Sequence, residues 1–141
     1  MIKCDYSFEL KSKLSELNTL CRHLENCGNM LGLQQKFIIE INMGLDELFT
    51  NIVFYGYDDD REHQIKFSFI KHDNALIVQV EDDGMPFNPL HAKKHAVPTD
   101  LDSINIGGLG IHLIKNMVDD INYKRSDGKN KTTLRKYVNV N

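Results

Sequence analysis

Three residues with ligand chemistry, Glu40, Glu47 and Asn51, are separated by seven and four positions. On a helix those offsets stack side chains along one stripe, so that Glu47 and Asn51 converge on one ligand. A carboxylate there polarises a hydroxyl, and an amide oxygen completes the shell of a hard cation such as Mg²⁺. The same stripe is also what a solvated helix face looks like. Further along, Asp82-Asp83-Gly84-Met85-Pro86-Phe87 follows an apolar, strand-like run. A carboxylate is thereby delivered at a strand end, and glycine lets the backbone turn close to a ligand, although Asp-Gly is equally an ordinary turn signal. Gly107-Gly108-Leu109-Gly110 directly precedes a helix-period run. Free N–H groups and the helix dipole favour phosphate at such a place, and a hinge has the same composition. His91, Lys93, Lys94 and His95 either reach a triphosphate or solubilise a loop, and His112 and Lys115 share that ambiguity.

The elements that position these groups follow from periodicity. Alternation from Ile2 to Phe8 predicts an opening strand, and Leu14, Leu17, Cys21 and Leu24 predict a first helix up to Gly28. Phe37, Ile41, Leu45, Leu48 and Ile52 predict a long amphipathic helix from about Gln34 to Tyr55. Ile65, Phe67 and Phe69, then Leu76, Val78 and Val80, alternate as a hairpin around Lys71-His72-Asp73-Asn74. From Asp82 to Gly110 periodicity fails, which in a compact domain marks a functional or disordered stretch. Ile111, Ile114 and Val118 restore a helix, after which Asn122–Arg125, a turn at Asp127-Gly128-Lys129-Asn130 and a strand near Thr132–Val138 close the chain. Helices followed by mostly antiparallel strands, with one helix inserted, predict an α+β two-layer sandwich rather than a doubly wound sheet.

At 141 residues and a formal charge of −3 the chain is expected to form a single domain with one active centre. It has no basic surplus of the kind a general nucleic-acid binder carries. No bilayer-length apolar run and no signal-peptide pattern is present, so a cytoplasmic protein is expected. Cys4, Cys21 and Cys27 lack metal-ligand spacing. Also missing are a Walker-type phosphate loop, a protein-kinase His-Arg-Asp loop and a serine nucleophile elbow.

Four segments stand in a telling order: Asp46–Tyr57, Asp82–Pro89, Gly107–Ile114 and Gly128–Lys136. In that order, and over nearly the whole chain, the sequence resembles the stand-alone ATPase domains of the gyrase/histidine-kinase superfamily. Within it the resemblance is to the anti-sigma regulatory factors with serine/threonine kinase activity. The resemblance implies the Bergerat ATP-binding fold, a mixed, mostly antiparallel sheet covered on one face by helices, and Mg²⁺ and ATP as cofactors. It implies Glu47 as general base, Asn51 as Mg²⁺ ligand and Asp82 as acceptor of the adenine amino group. Gly84, Pro86 and Phe87 would pack around the ring, and Gly107, Gly108, Leu109 and Gly110 would hold the phosphates. Thr133 would support Asp82, and Met85 to Ile106 would form an ATP lid. The closing box reads Lys131-Thr132-Thr133 where relatives usually have Gly-Thr, and Tyr55 stands where many have His.

The function so implied is phosphorylation of an antagonist protein with regulation of transcription by partner switching, the partners being that antagonist and a sigma factor, with a homodimer as a further association. A non-catalytic, nucleotide-switched binding module and an ATPase acting on water use most of the same residues. A histidine-kinase catalytic fragment is a third alternative, for which no histidine-bearing dimerisation helices are seen.

Overall fold

The structure is a computed structural model and describes residues 5–91 and 109–138. Its longest element is α2 (Gln35–Tyr55), flanked by α1 (Leu17–Leu31) and α3 (Leu109–Met117). Five strands, β1 (Tyr6–Lys11), β2 (Gln64–His72), β3 (Ala75–Asp82), β4 (Asp120–Ser126) and β5 (Lys129–Tyr137), form one sheet in the order β1-β2-β3-β5-β4. All four strand pairings are antiparallel, so the expected α+β sandwich is present with no parallel pair among the described strands.

The 3.6-residue period of α2 aims Ile38, Ile41, Leu45, Leu48, Phe49 and Ile52 at the sheet. They meet Phe8, Ile65, Phe67, Phe69, Leu76, Val78 and Val80, which the two-residue period of the strands turns to the same side. Each such side chain, once fully buried, contributes about 1.5–3 kcal/mol. The aromatic centre of this layer is a stack of Phe8 on Phe67 with centroids 5.0 Å apart. On the uncovered face Glu9, Lys66, Glu81 and Lys131 lie side by side across four strands, alternating in sign as cross-strand pairs favour.

The opening strand runs from Tyr6 to Lys11, past the expected end at Phe8, and Met1 to Cys4 lie outside the described residues. Two further boundaries differ from the sequence expectation, each for a physical reason. The first helix passes Gly28 and stops at Gly32, whose φ of 71° lets Leu33 N–H reach Gly28 O at 2.8 Å and Gly32 N–H reach Asn29 O at 3.3 Å. The closing turn is only Asp127-Gly128, with φ of 55° and 75°. That pair of left-handed residues suits the twist of a tight hairpin, and it moves Lys129 and Asn130 into β5.

Candidate functional site

Inward-facing positions of β3 run Leu76, Val78, Val80, Asp82, so the same alternation that builds the core sets the Asp82 carboxylate against the helix layer, 3% exposed. There Asp82 Oδ1 accepts Gly84 N–H at 2.9 Å and the Asn130 side-chain amide at 2.9 Å. Burial pushes this carboxyl above its ordinary value, and the two hydrogen bonds oppose that shift. Asn130 sits opposite Asp82 in the β3/β5 register and is 1% exposed. Its amide nitrogen also donates to Met85 O at 2.7 Å, and its oxygen accepts the Tyr123 hydroxyl, Arg125 Nη1 at 3.2 Å and, weakly, Phe87 N–H at 3.4 Å. Arg125 Nη1 additionally donates to Gly84 O at 2.7 Å. One buried amide thus ties the carboxylate to the chain that leaves β3.

That chain turns back onto the end of α2. Met85 N–H donates to Gly56 O at 2.8 Å, and a Cβ on Gly84 would lie 2.3 Å from the same oxygen, so the approach needs glycine. Phe87 packs on Tyr55 with centroids 5.9 Å apart. A short 3₁₀ turn, Pro89–His91, then reaches Asn51, which is 3% exposed and donates its amide nitrogen to Pro89 O at 3.1 Å. Its amide oxygen is the atom of Asn51 with the chemistry to ligate a cation. Glu47, partly buried, lies one helical turn before it.

Asn51, Asp82, Gly84 and Phe87 are therefore brought together, whereas Thr133 is not. Thr133 pairs with Gln79, and the alternation of β5 puts it on the uncovered face while Asn130, Thr132 and Leu134 face the helices. A reading displaced by an odd number of residues along a strand lands on the wrong face. Asn130, Tyr123 and Arg125 were missed because Asp127–Asn130 has the composition of a four-residue turn. Counting Asp127-Gly128 as a two-residue hairpin would have exposed Asn130 as inward-facing. Pro86 is exposed beside Phe87. Gly107 and Gly108 lie outside the described residues, as do Lys93, Lys94, His95 and most of the expected lid. Leu109 and Gly110 open α3.

A concavity of about 350 Å³, lined by residues including Glu62, His63, Lys66 and Glu81, opens on the uncovered side of the sheet and shares only Asp82 with this site. Cys21 and Cys27 are free, Cys27 buried. Among the described residues no helix is long and apolar enough to cross a membrane.

The chain is 25% identical over 120 residues to the serine-protein kinase RsbW of Listeria monocytogenes serovar 1/2a, covering 82% of this chain and 76% of that one. It is 28% identical over 114 residues to the serine-protein kinase RsbW of Bacillus thuringiensis, covering 78% and 70%. In fold it is similar to one chain of the SiaB–SiaC complex from Pseudomonas aeruginosa, with a TM-score of 0.54, 14% identity and coverage of 96% and 91%. A further likeness is to the histidine kinase AdeS of Acinetobacter baumannii, with a TM-score of 0.51, 14% identity and coverage of 94% and 68%. The model of the histidine kinase-like ATPase domain matches residues 10–136, from β1 to β5, and to that family this chain belongs.

Proposed function

We propose that this chain is a Mg²⁺- and ATP-dependent protein serine/threonine kinase of the anti-sigma type. Its proposed partners are an antagonist protein that receives the phosphate and a sigma factor, with self-association as a further one. The observation that carries the reading is that a single segment, Gly84 to Pro89, is hydrogen-bonded at one end to the Asp82 network and at the other to Asn51. That connection supports a reading in which Asp82 takes the base and Asn51 the cation of one nucleotide.

The donor set fits the cofactors. Asn51 offers an amide oxygen, the kind of hard ligand that Mg²⁺ prefers, and Glu47, one turn before it, offers a carboxylate that can serve as a base. Asp82 Oδ1 is held by two N–H donors, which leaves its other oxygen to accept an amino group. When bound, Mg²⁺–ATP supplies the phosphoryl group and charge neutralisation at its phosphates. Glu47 orients the acceptor hydroxyl and takes its proton, Asn51 fixes the cation, and Asp82 fixes the base. The N–H groups at the start of α3, at Leu109 and Gly110, would hold the phosphates, as helix N-termini do.

The deciding experiment incubates the protein with γ-labelled ATP and a candidate antagonist protein, or with water alone. Label on a serine or threonine of the antagonist is the expected result. Release to water alone reduces the reading to an ATPase. Nucleotide binding without transfer to either reduces it to a nucleotide-switched binding module.

A further inference from the structure

Lys11, Lys13, Arg61, Lys129, Lys131 and Arg135 each lie 2.7–3.8 Å from a carboxylate. Lys36, Lys71 and Lys136 pair with no carboxylate among the described residues, and these three stand together. Lys71 and Lys136 are the register neighbours of Leu76 on its two sides, so they share its helix-facing side of the sheet with Cα atoms about 10 Å apart. Lys36, in the first turn of α2, has its Nζ 5.5 Å from the centroid of the Phe37 ring, and Lys136 Nζ lies 5.7 Å from the same centroid. Lys71 Nζ donates to Leu31 O, at the end of α1, across 3.1 Å. The strand rise sets this cluster about 20 Å along β3 from Asp82.

Acids border the cluster but are engaged elsewhere. Asp119 Oδ2 accepts Tyr137 N–H at 2.7 Å, Asp120 faces Arg135 at 3.4 Å, and Asp5 Oδ2 accepts the backbone N–H of Lys71 at 2.7 Å. A lysine stem lying along an aromatic ring is ordinary surface behaviour. Three ammoniums from three elements, gathered without a counter-charge in a chain of net charge −3, are not. Such a gathering repels itself, and an anion that bridges it relieves the repulsion.

We propose that Lys36, Phe37, Lys71 and Lys136 form a docking surface for an acidic segment of a partner protein. Its carboxylates meet the ammoniums, and its aliphatic carbon lies on the Phe37 ring. Charge complementarity argues for this occupant: the exposed turn Asp58-Asp59-Asp60 and the net negative charge repel an acidic segment elsewhere and steer it to this end. A second copy of this chain is a poorer occupant. In its acid-rich turn Asp59 already faces His63 and Arg61 and Glu62 faces Lys11 and Lys13, and head-to-tail seating builds rings or filaments rather than a closed pair. The surface is separate from the nucleotide reading, since it lies at the other end of β3.

The test uses a fluorescent peptide of glutamate and leucine, with the glutamine–leucine peptide of equal length as its neutral counterpart. Anisotropy reads binding, and amide shifts of isotope-labelled protein read its place. The acidic peptide binds, the neutral one does not, and the shifts gather around Lys36, Phe37, Lys71 and Lys136. Lys36→Gln combined with Lys136→Gln weakens binding about tenfold, each exposed pair being worth about fivefold or less, and unfolds at the wild-type temperature. Lys36→Arg with Lys136→Arg keeps binding, and so does Lys124→Gln, which removes an exposed cation on β4. Equal weakening by Lys124→Gln shows diffuse attraction and overturns the proposal. Displacement of the peptide by inorganic phosphate at equal concentration makes this a small-anion site and overturns it. Self-association that disappears in the Lys36→Gln, Lys136→Gln variant makes a second copy the occupant and overturns it, as does a wild type that binds neither peptide.

Discussion

Asn130 on β5 donates its side-chain amide to Asp82 on β3 across 2.9 Å, and the two are strand partners buried to within a few per cent. Removing the amide leaves a buried carboxylate short of one donor and also takes a partner from Met85 O and the Tyr123 hydroxyl, while Arg125 keeps Gly84 O. Asn130→Ala is expected to destabilise by about 2–4 kcal/mol, since each orphaned buried group costs about 1–3 kcal/mol. Thr133→Ala, on the uncovered face, is expected to stay within about 0.5 kcal/mol of wild type. Urea unfolding of the two variants checks the contrast, and equal losses would reject this account of the network.

At Asp82 the proposed nucleotide contact is lost while shape is kept in Asp82→Asn. The expected loss of ATP affinity is about 1.5–3 kcal/mol, the scale of a hydrogen bond to a charged group. Calorimetry reads it directly, and unchanged affinity in a folded variant moves the base site elsewhere.

Glu47 and Asn51 are one helical turn apart but are assigned different work, so their losses should differ in kind. Glu47→Gln is expected to keep Mg²⁺-dependent ATP binding and to slow phosphate transfer about 10²–10⁴-fold. Asn51→Ala is expected to weaken magnesium-dependent binding itself, and it also removes the tie to Pro89 O. Transfer at the wild-type rate by Glu47→Gln would remove it as the base.

Asp46, beside Glu47 on α2, has a carboxyl that burial pushes from 3.8 to about 6, and its Oδ1 finds no hydrogen-bond partner among the described residues. A raised folded-state value stabilises while the proton is held, so this contribution is complete below pH 3.8 and lost as pH rises through about 6. Asp46→Asn stays neutral throughout. Its advantage over wild type should therefore open across that window to about 1–3 kcal/mol, discounted for partial exposure. Unfolding curves at about pH 4 and about pH 7.5 measure it, and a gap that does not change with pH contradicts it.

Gly44 lets α3 dock on α2: a Cβ there would lie 2.4 Å from Ile114 Cδ1 and 2.9 Å from Ile114 Cβ. The near-rigid Cβ of Ile114 cannot swing aside. Gly44→Ala is expected to cost about 1–3 kcal/mol of overpacking, partly offset by about 1 kcal/mol of helix propensity. Adding Ile114→Ala should recover part of the overpacking loss, and thermal unfolding of the single and double variants tests this.

Much of this protein is set locally. The 3.6-residue period of Ile41, Leu45, Leu48 and Ile52 makes α2 and, on the same helix, spaces Glu47 and Asn51 by one turn. The two-residue period of Leu76, Val78 and Val80 makes β3 and carries Asp82 to its inward face. Each follows from neighbours in the chain, because helix and strand geometry fix side-chain direction. What pairs with Asp82 is not local. Register between β3 and β5, strands far apart in sequence, is fixed by packing, and a displacement of one or three residues along β5 exchanges the faces, which is why Asn130 and not Thr133 reaches the carboxylate. The hydrogen bond from Asn51 to Pro89 arises only once the chain leaving β3 has folded back on α2. No pattern of neighbouring residues encodes those contacts, because their partners are tens of residues apart in sequence and meet only through packing.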